Sequence, residues 1–585
     1  MVATAPAPDT VAPGRRSFDR TTIITGLVLL VPLVVIAAGA WHSRFMSDDG
    51  FIDLRVVREV LAGHGPVFNP GERVEASTSP LWIAFLVVGD IVLPLRLEWL
   101  AVLMGITLTV LGVGLTIFGA IRLSPDVRRP RTWWLPVGAL LVAVMPPMWK
   151  FASSGLENGL SFAWLGGCFA VLAVWTTGDR RLRYPAAVLL GLGPLVRPEI
   201  GLFTLAFLGV VLAGQWRDDT WLRRLAFLGA AFALPFAYEI FRMGFFASLV
   251  PNSALAKEAS RPYWSSGWHY LRQATEPYVL WIPLVLLAAT AYVPLCIDLR
   301  RHERRRGMLL VIVLVVTALV DAIYIIRVGG DFMRARLLLP ALFALAAPVA
   351  VVPFRRAYAA ALLLVPWAFI ALVWLRSPGD SPATFGPATK NLVTAEQFGY
   401  GPGGRALTWY DGKGVYFLEH KLPATPSPHD PGLTGYGVGI LAYSQGADTY
   451  VLDLLGLGDA FTSHLKLAHR GVVAHEKPLP FPWIAARLTS DSSQLTEKDF
   501  TLPVFFVAGH LDHPGGEPFQ SRIADARKAL QCGELKDFIA DYSGHLDAGR
   551  FVSNVGDAFR NYTFRIPPEP RDAVARYCRS ASANG

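Results

Sequence analysis

Apolar stretches of about 20 residues recur between Thr22 and Leu375, and they constrain this chain more than any other feature. A stretch of that length is long enough to cross the hydrocarbon core of a membrane as a helix. The chain has 585 residues, of which 53% are hydrophobic and 17% charged, which is more apolar than a soluble core of this size requires. The sequence therefore predicts a polytopic α-helical membrane protein.

Hydropathy and the arginine clusters together predict the topology. Hydropathy windows indicate about eleven spans, at 22–41, 97–120, 133–147, 157–176, 185–196, 199–215, 223–241, 278–297, 308–326, 337–353 and 357–375. One arginine cluster, at 15–20, precedes the first span, and others, such as those at 122–131 and 300–306, lie between spans. Placing every cluster in the cytoplasm satisfies both the positive-inside rule and the alternation of spans. This also explains the net charge of +9 without a nucleic-acid partner. The stretch 80–95 is short and contains Asp90, so we expect it to be interfacial or re-entrant.

The chain divides into three parts. Residues 1–21 are expected to be a disordered cytoplasmic tail. Residues 22–375 are expected to form the membrane domain, with a first outer loop at 42–79. Residues 376–585 are soluble in character, and alternating apolar residues with frequent Gly and Pro predict a mixed, mainly β domain with a helix at 518–530. We expect this domain to be carbohydrate-binding-like, because some of its aromatic side chains could stack on sugars. The parity of the spans places this domain and the first loop outside.

Cys532 and Cys578 both fall in the domain placed outside. An oxidising compartment favours a disulfide between them, and two unpaired thiols are the alternative. No C-x-x-C spacing occurs, and the histidines are spaced too irregularly to predict a metal site.

Two adjacent carboxylates, Asp48 and Asp49, open the first outer loop. The apolar residues that follow recur at helical spacing with charged residues between them, which predicts an amphipathic helix on the membrane surface. Ser47 or Asp48 could cap this helix while Asp49 complements its dipole. Because capping needs one acid and ionisable groups at membrane depth are usually functional, catalysis is the favoured interpretation.

Further charged residues lie on the same predicted side as this pair. They are Glu75, Glu157, Arg197, Glu199, Arg242, Lys257, Arg327, Asp331, Arg334 and Arg336. Basic residues on the outer side are unusual, because the positive-inside rule favours the cytoplasmic side. A phosphate at the outer leaflet would explain them. Arg327, Arg334 and Arg336 could instead snorkel to lipid headgroups, but the set as a whole favours an anionic ligand.

This inventory of residues fits sugar transfer from a lipid phosphate. A carboxylate would deprotonate an acceptor hydroxyl or stabilise an oxocarbenium-like centre, while cations hold the phosphate leaving group. No phosphate-binding or dinucleotide-binding glycine motif occurs, so the donor must arrive activated and lipid-linked. A transporter or flippase of polyprenyl-linked sugars and an envelope scaffold remain as alternatives, although no internal repeat typical of transporters is evident.

Several stretches resemble the mycobacterial terminal β(1→2) arabinofuranosyltransferases, a family of GT-C-fold, polyprenyl-phosphate-dependent glycosyltransferases. These stretches are 48–50, 65–76, 154–157, 195–199, 240–244, 254–257 and 329–333. The resemblance implies a GT-C membrane domain, decaprenyl-phosphoryl β-D-arabinofuranose as the lipid donor, and α-linked arabinan of arabinogalactan and lipoarabinomannan as the acceptor. It also implies an active site on the periplasmic side of the plasma membrane.

The resemblance implies roles for individual residues as well. Asp48 and Asp49 correspond to the acidic motif of the family, and many GT-C enzymes bind a divalent cation there, for which these two side chains could supply oxygen ligands. A β-linked donor and product imply net retention. Either a second carboxylate acts as the nucleophile, with Glu75, Glu157 and Asp331 as candidates, or the acceptor attacks from the leaving-group face. The expected donor-phosphate ligands are Arg197, Arg242, Lys257, Arg334 and Arg336, and the expected acceptor-binding residues are Arg73 and Glu199.

Overall fold

The computed structural model describes most of the chain. The described residues are 20–128, 132–178, 182, 184–215, 220–354, 365–369, 433–435, 438–445, 447–468, 470, 473, 476–488, 491–493, 495–496 and 517–578. The predicted tail up to residue 19 and most of the predicted span 357–375 lie outside these residues.

The N-terminal part is a bundle of helices. They are α1 (Arg20–His42), α2 (Asp48–Leu61), α3 (Pro80–Val92), α4 (Leu97–Leu123), α5 (Val137–Ala143), α6 (Pro146–Ser153), α7 (Asn158–Thr177), α8 (Tyr184–Gly191), α9 (Gly193–Val196), α10 (Gly201–Gln215), α11 (Trp221–Phe246), α12 (Asn252–Ala256), α13 (Trp264–Thr275), α14 (Trp281–Leu287), α15 (Val293–Arg301), α16 (Arg305–Val328) and α17 (Leu339–Ala346). A π-helical turn, Ala288–Tyr292, joins α14 to α15. Two short strands, β1 (Trp134–Leu135) and β2 (Val352–Pro353), pair antiparallel.

Six helices in the described part are long and apolar enough to span a membrane. They are Thr22–His42, Leu97–Leu123, Asn158–Thr177, Trp221–Phe246, Trp281–Arg301 and Arg305–Val328. Each coincides with a predicted span, so the protein is a multi-pass helical membrane protein. The apolar helices Pro80–Val92, Tyr184–Val196, Gly201–Gln215 and Arg336–Val349 are shorter, and the predicted count of about eleven spans is not confirmed.

Prolines account for two breaks in the predicted spans. The stretch 133–147 is not one helix, because Pro136 precedes α5 and Pro146 begins α6, and neither residue can continue a preceding helix. Pro198 likewise separates α9 from α10, in agreement with the separate spans predicted at 185–196 and 199–215. Helix ends created in this way place polar residues inside the bundle.

Glycines bring α4 and α7 into backbone contact. A Cβ on Gly159 would lie 2.3 Å from the Gly105 carbonyl oxygen, and one on Gly166 would lie 2.3 Å from that of Gly112. Small residues at such positions allow membrane helices to pack closely, which compensates for the lack of a hydrophobic drive between them in lipid. This packing fixes the position of the turn that precedes α7, in which Glu157 lies.

The C-terminal part is mainly helical in the described residues. Its helices are α18 (Val438–Gln445), α19 (Ala460–Ser463), α20 (Phe481–Leu488), α21 (Phe519–Ala529), α22 (Gly533–Ser543), α23 (Ala548–Thr563) and α24 (Pro570–Tyr577). Two three-residue strands, β3 (Leu433–Gly435) and β4 (Val451–Asp453), pair in parallel. The predicted helix at 518–530 is confirmed by α21, whereas the mainly β domain is not confirmed. Cys532 and Cys578 form a disulfide that connects the start of α22 to the end of α24.

Helix α2 is buried on both faces, which corrects the expectation of an amphipathic helix at the membrane surface. Its apolar face joins the core of the bundle, and α18 covers its charged face. The buried Arg55 guanidinium donates hydrogen bonds to the carbonyl oxygens of Phe68, Ala442 and Thr449. The Asn69 amide pairs with both backbone groups of Val451. These contacts fix the C-terminal part against the first loop.

Candidate active site

Charged side chains from five separate segments meet at one end of the helical bundle. We call this set the charge cluster, and its members are Asp49, Glu157, Arg197, Glu199, Lys257, Asp331 and Arg336. Each of them lies at or next to the end of a helix. All seven were predicted as site residues from the sequence, and the structure brings them together.

Arg336 is the centre of the charge cluster. Its Nη1 lies 3.4 Å from Asp49 Oδ2 and 3.5 Å from Asp331 Oδ2, and its Nη2 lies 3.4 Å from Glu157 Oε1. Its side chain is only 6% exposed. A guanidinium can be buried in this way because three carboxylates surround it.

Arg197 connects two further carboxylates. Its Nη1 donates to Glu157 Oε1, and its Nε donates to Glu199 Oε1 at 2.5 Å. Glu157 therefore lies between two guanidinium groups, those of Arg197 and Arg336. Burial alone would raise the pKa of Glu157, but the two cations outweigh it and lower that pKa to about 2. Glu157 is consequently ionised at neutral pH.

Ser47 aligns the acidic pair with the turn that carries Glu157. Its hydroxyl accepts from the Gly50 N–H as the N-cap of α2 and donates to the Ser154 carbonyl oxygen at 3.0 Å. Gly50 packs so closely on that turn that a Cβ would lie 2.7 Å from the same carbonyl oxygen. Because Ser47 supplies the cap, neither aspartate is needed for it.

Two glycines after α16 turn the chain back toward the charge cluster. Gly329 and Gly330 have φ values of +100° and +76°, which favour glycine. A Cβ on Gly330 would lie 2.3 Å from the ring of Tyr270, whose hydroxyl donates to the Met333 carbonyl oxygen and accepts from the Leu337 N–H. This turn places Asp331, whose Oδ1 lies 3.9 Å from the Lys257 Nζ.

Asp48 and Asp49 have different surroundings although they are adjacent. Asp49 contacts Arg336, whereas Asp48 Oδ2 accepts from the Gly439 N–H in the first turn of α18 at 3.3 Å. Within the described residues, no group of three or more His, Cys, Asp or Glu side chains is arranged to hold a metal ion. Asp48 and Asp49 as oxygen ligands of a divalent cation stay a prediction.

Two other predicted site residues form a separate ion pair. Glu75 Oε2 lies 2.6 Å from Arg242 Nε, and the Tyr238 hydroxyl donates to Glu75 Oε1 at 2.6 Å. Arg242 also donates to Glu239. This pair lies at the end of α11 and shares no ion pair with the charge cluster among the described residues.

Arg73 and Arg334 also differ from the residues of the charge cluster. The Arg73 guanidinium donates to the carbonyl oxygens of Phe245, Gly544 and Asp541, so it joins the first loop to the end of α11 and to α22. Arg334 is half-buried in the same turn as Asp331 and Arg336. Acceptor binding by Arg73 stays a prediction.

Asp53 was not predicted as a site residue, yet it lies beside the charge cluster. It is 6% exposed on α2, one helical turn after Asp49, and it accepts a hydrogen bond from Ser77. Burial and then the Glu157 carboxylate raise the pKa of Asp53 to about 8. The spacing of four residues from Asp49 is the sequence signal that could have identified it, because it places both side chains on one face of a helix.

Comparison with known proteins identifies the family. No family model matches the chain. The chain is 32% identical to the terminal β-(1→2)-arabinofuranosyltransferase of Mycobacterium tuberculosis, over 93% of this chain and 95% of that protein. It belongs to the family of terminal β-(1→2)-arabinofuranosyltransferases. The family resemblance predicted from the sequence is therefore confirmed.

Two further proteins are similar to the chain. The enzyme of the same name from Corynebacterium glutamicum is 29% identical over 98% of this chain and 90% of its own length. Among solved structures, ArnT from Cupriavidus metallidurans bound to undecaprenyl phosphate aligns with a TM-score of 0.40 and 20% identity, covering 63% of this chain and 67% of ArnT. The terminal β-(1→2)-arabinofuranosyltransferase family thus accounts for nearly the full length of the chain.

Proposed function

We propose that the protein transfers arabinofuranose from decaprenyl-phosphoryl-arabinofuranose to the non-reducing end of an arabinan chain, and that it forms a terminal β(1→2) linkage at the periplasmic face of the plasma membrane. Family membership supports the sugar and the linkage. The observation that carries the site assignment is the charge cluster, because it combines carboxylates suited to proton transfer with cations suited to a phosphate.

In this proposal Asp49 is the proton acceptor. Its side chain is 17% exposed, more than those of Glu157 at 2% and Asp331 at 0%, so a substrate can reach it. The acceptor hydroxyl oxygen bonds to the anomeric carbon as its proton moves to the Asp49 carboxylate. The bond between that carbon and the phosphate oxygen breaks, and its electron pair leaves with the polyprenyl phosphate. Arg336 Nη1 lies 3.4 Å from Asp49 Oδ2 and holds the carboxylate in place.

Lys257 is the best-placed cation for the donor phosphate. Its side chain is 26% exposed, the most open of the charge cluster, and it lies 3.9 Å from Asp331, so it is not held in a tight ion pair. Arg334 and Arg336 lie in the neighbouring turn and add positive charge there. Arg197 is held by Glu157 and Glu199 and therefore acts as a positioning residue.

The arrangement of the other carboxylates favours attack without a covalent glycosyl-enzyme. Glu157 is buried between two guanidiniums, Asp331 is buried against Arg336, and Glu75 is paired with Arg242. None of these three candidate nucleophiles is both exposed and close to Asp49 among the described contacts. Net retention would then arise from attack on the face from which the phosphate leaves.

A reconstituted assay tests the proposed function. The purified protein in liposomes, given synthetic decaprenyl-phosphoryl-arabinofuranose and an oligoarabinan acceptor, should extend the acceptor by a β(1→2)-linked residue. Asp49→Asn should abolish this extension, while Asp90→Asn, a carboxylate variant outside the charge cluster, should retain it. Movement of labelled lipid across the bilayer without product would instead support a transporter, and acceptor binding without either would support a scaffold.

A further inference from the structure

Helix α23 exposes large apolar side chains to its surroundings. Val552, Phe559 and Tyr562 are 72%, 62% and 36% exposed. Among the described residues after 432, these three are the large hydrophobic side chains that are at least 36% exposed. Single exposed apolar residues are ordinary on protein surfaces, but three on one helix and on one face suggest a binding surface.

The three side chains form a single stripe. Their spacing of seven and then three residues brings them to one side of a helix, and the half-exposed Val555 lies between them. Asn554, Ala558 and Asn561 are buried on the inner face. The remaining outer face carries Ser553, Gly556, Asp557 and Arg560. The exposed side of α23 is therefore divided into an apolar half and a polar half.

The position of α23 indicates what covers the stripe. Asn554 Nδ2 donates to the Gly244 carbonyl oxygen and Asn561 Nδ2 to that of Ala247, and a Cβ on Gly244 would lie 2.3 Å from the Phe551 ring. Gly244 and Ala247 belong to the end of α11. A helix of 26 residues is about 39 Å long, which exceeds the ~30 Å hydrocarbon core, so this end lies in the headgroup region.

Neighbouring side chains mark the same depth. Phe236 and Ile240, about three and two turns before the end of α11, are 67% and 41% exposed, as expected for a helix that faces lipid. Trp264 and Trp268 on α13 are 46% and 56% exposed, and α13 follows the same end of α11. Tryptophan side chains concentrate at membrane interfaces. The stripe on α23 thus lies beside the end of a helix that faces lipid.

We propose that α23 lies in the membrane interface with Val552, Phe559 and Tyr562 inserted among lipid headgroups and the adjoining acyl chains. The helix has the three features of an interfacial helix, namely an apolar stripe, a polar outer face and a position beside the end of a span. It holds the C-terminal part at a fixed height above the charge cluster. This inference does not depend on the transfer reaction.

Spin labelling tests the proposal in the full-length protein. A Cys168→Ala, Cys296→Ala background removes the free thiols and keeps the disulfide between Cys532 and Cys578. Labels are then attached to Val552→Cys, to Phe559→Cys and, as the matched control, to Ser553→Cys on the polar outer face. The protein is placed in nanodiscs of phosphatidylethanolamine and phosphatidylglycerol, and power saturation is measured with oxygen and with a water-soluble nickel chelate.

The labels at residues 552 and 559 should collide several-fold more with oxygen than with the nickel chelate, and the label at 553 should show the reverse. All three positions are exposed, so the substitutions leave the core intact. Preferential access of the nickel chelate to all three labels would overturn the proposal, because the stripe would then face water. Protection of residues 552 and 559 from both agents would also overturn it, because a protein surface would then cover them.

Discussion

Replacing Glu157 by Gln removes the shared anion between two buried guanidiniums while it preserves the shape of the side chain. Arg197 keeps Glu199, and Arg336 keeps Asp49 and Asp331, but both lose the carboxylate that is common to them. Because Glu157 is 1% exposed, water cannot replace the lost charge. We therefore expect Glu157→Gln to destabilise the fold.

The structure sets the size of this effect. Depression of the Glu157 pKa from 4.5 to about 2 corresponds to roughly 3 kcal/mol of stabilisation at neutral pH. That stabilisation is present above pH 4.5 and is lost as the pH falls toward 2, because the folded state holds the ionised form more strongly. Removal of one partner of a buried ion pair costs about 3–5 kcal/mol, which agrees in magnitude.

The assay is thermal unfolding of purified protein in nanodiscs at pH 7, followed by intrinsic tryptophan fluorescence. The matched control is Glu517→Gln, which breaks the exposed pair between Glu517 and Arg571 and should cost at most about 1 kcal/mol. Glu157→Gln should unfold at a clearly lower temperature than both the control and the wild type. Equal unfolding temperatures for the two variants would refute the argument that Glu157 neutralises Arg197 and Arg336.

Three further predictions concern a buried carboxylate, a partly exposed cation and the disulfide. Asp53→Asn should stabilise the fold at pH 7. The raised pKa of Asp53 makes the wild type lose stability as the pH rises from 3.8 to about 8, at up to roughly 1.4 kcal/mol per pH unit. The same pH profile of unfolding in the variant and the wild type would contradict this. Lys257→Gln should raise the KM for the donor by about 10–100-fold, because a hydrogen bond from a charged group to the phosphate is lost. The control Lys466→Gln, at an exposed position, should leave the KM unchanged. Equal KM values for the two variants would exclude Lys257 as a phosphate ligand. Replacing Cys532 and Cys578 by Ser removes a disulfide that closes a loop of 46 residues and should lower the free energy of unfolding by about 2–4 kcal/mol. An unfolding temperature of the wild type that does not change with reductant would contradict this stabilising role.

The charge cluster could be predicted from the sequence because each of its members lies beside a recognisable helix end. Once the spans are assigned, Glu157, Arg197 and Arg336 must lie on the same side of the membrane as Asp49. Only the folded chain shows which of these residues touch. Glu75 and Arg242 satisfy the same topological criterion, yet they pair with each other rather than with Arg336.

Long-range contacts explain why α2 was assigned to the membrane surface. Its charged residues Arg55 and Arg58 resemble a solvated face, but they donate to carbonyl oxygens of α18 and its neighbours, which lie almost 400 positions later. The helix itself was predicted correctly from its apolar periodicity. That α18 covers its polar face could not be predicted from the sequence of α2 alone. Asp53 was missed for the same reason, since its burial depends on that cover.

The C-terminal part was predicted to be mainly β because Gly and Pro are frequent and apolar residues alternate over short windows. Two of its helices, α18 and α20, are only eight residues long, so their helical period is seen for barely two turns. The longer α21 has a clear helical pattern and was predicted. Helix length limited the prediction at α18 and α20, whereas α22 and α23, of 11 and 16 residues, were long enough to be recognised and were missed.

The rate of sugar transfer in Asp49→Asn, compared with Asp48→Asn, tests the central claim most directly. Asn at position 48 can still accept from the Gly439 N–H, whereas Asn at position 49 can no longer take up the acceptor proton. We predict that Asp49→Asn lowers kcat by about 10²–10⁴-fold in protein that still folds, and that Asp48→Asn loses much less. Full activity in Asp49→Asn would contradict the assignment of proton transfer to the charge cluster.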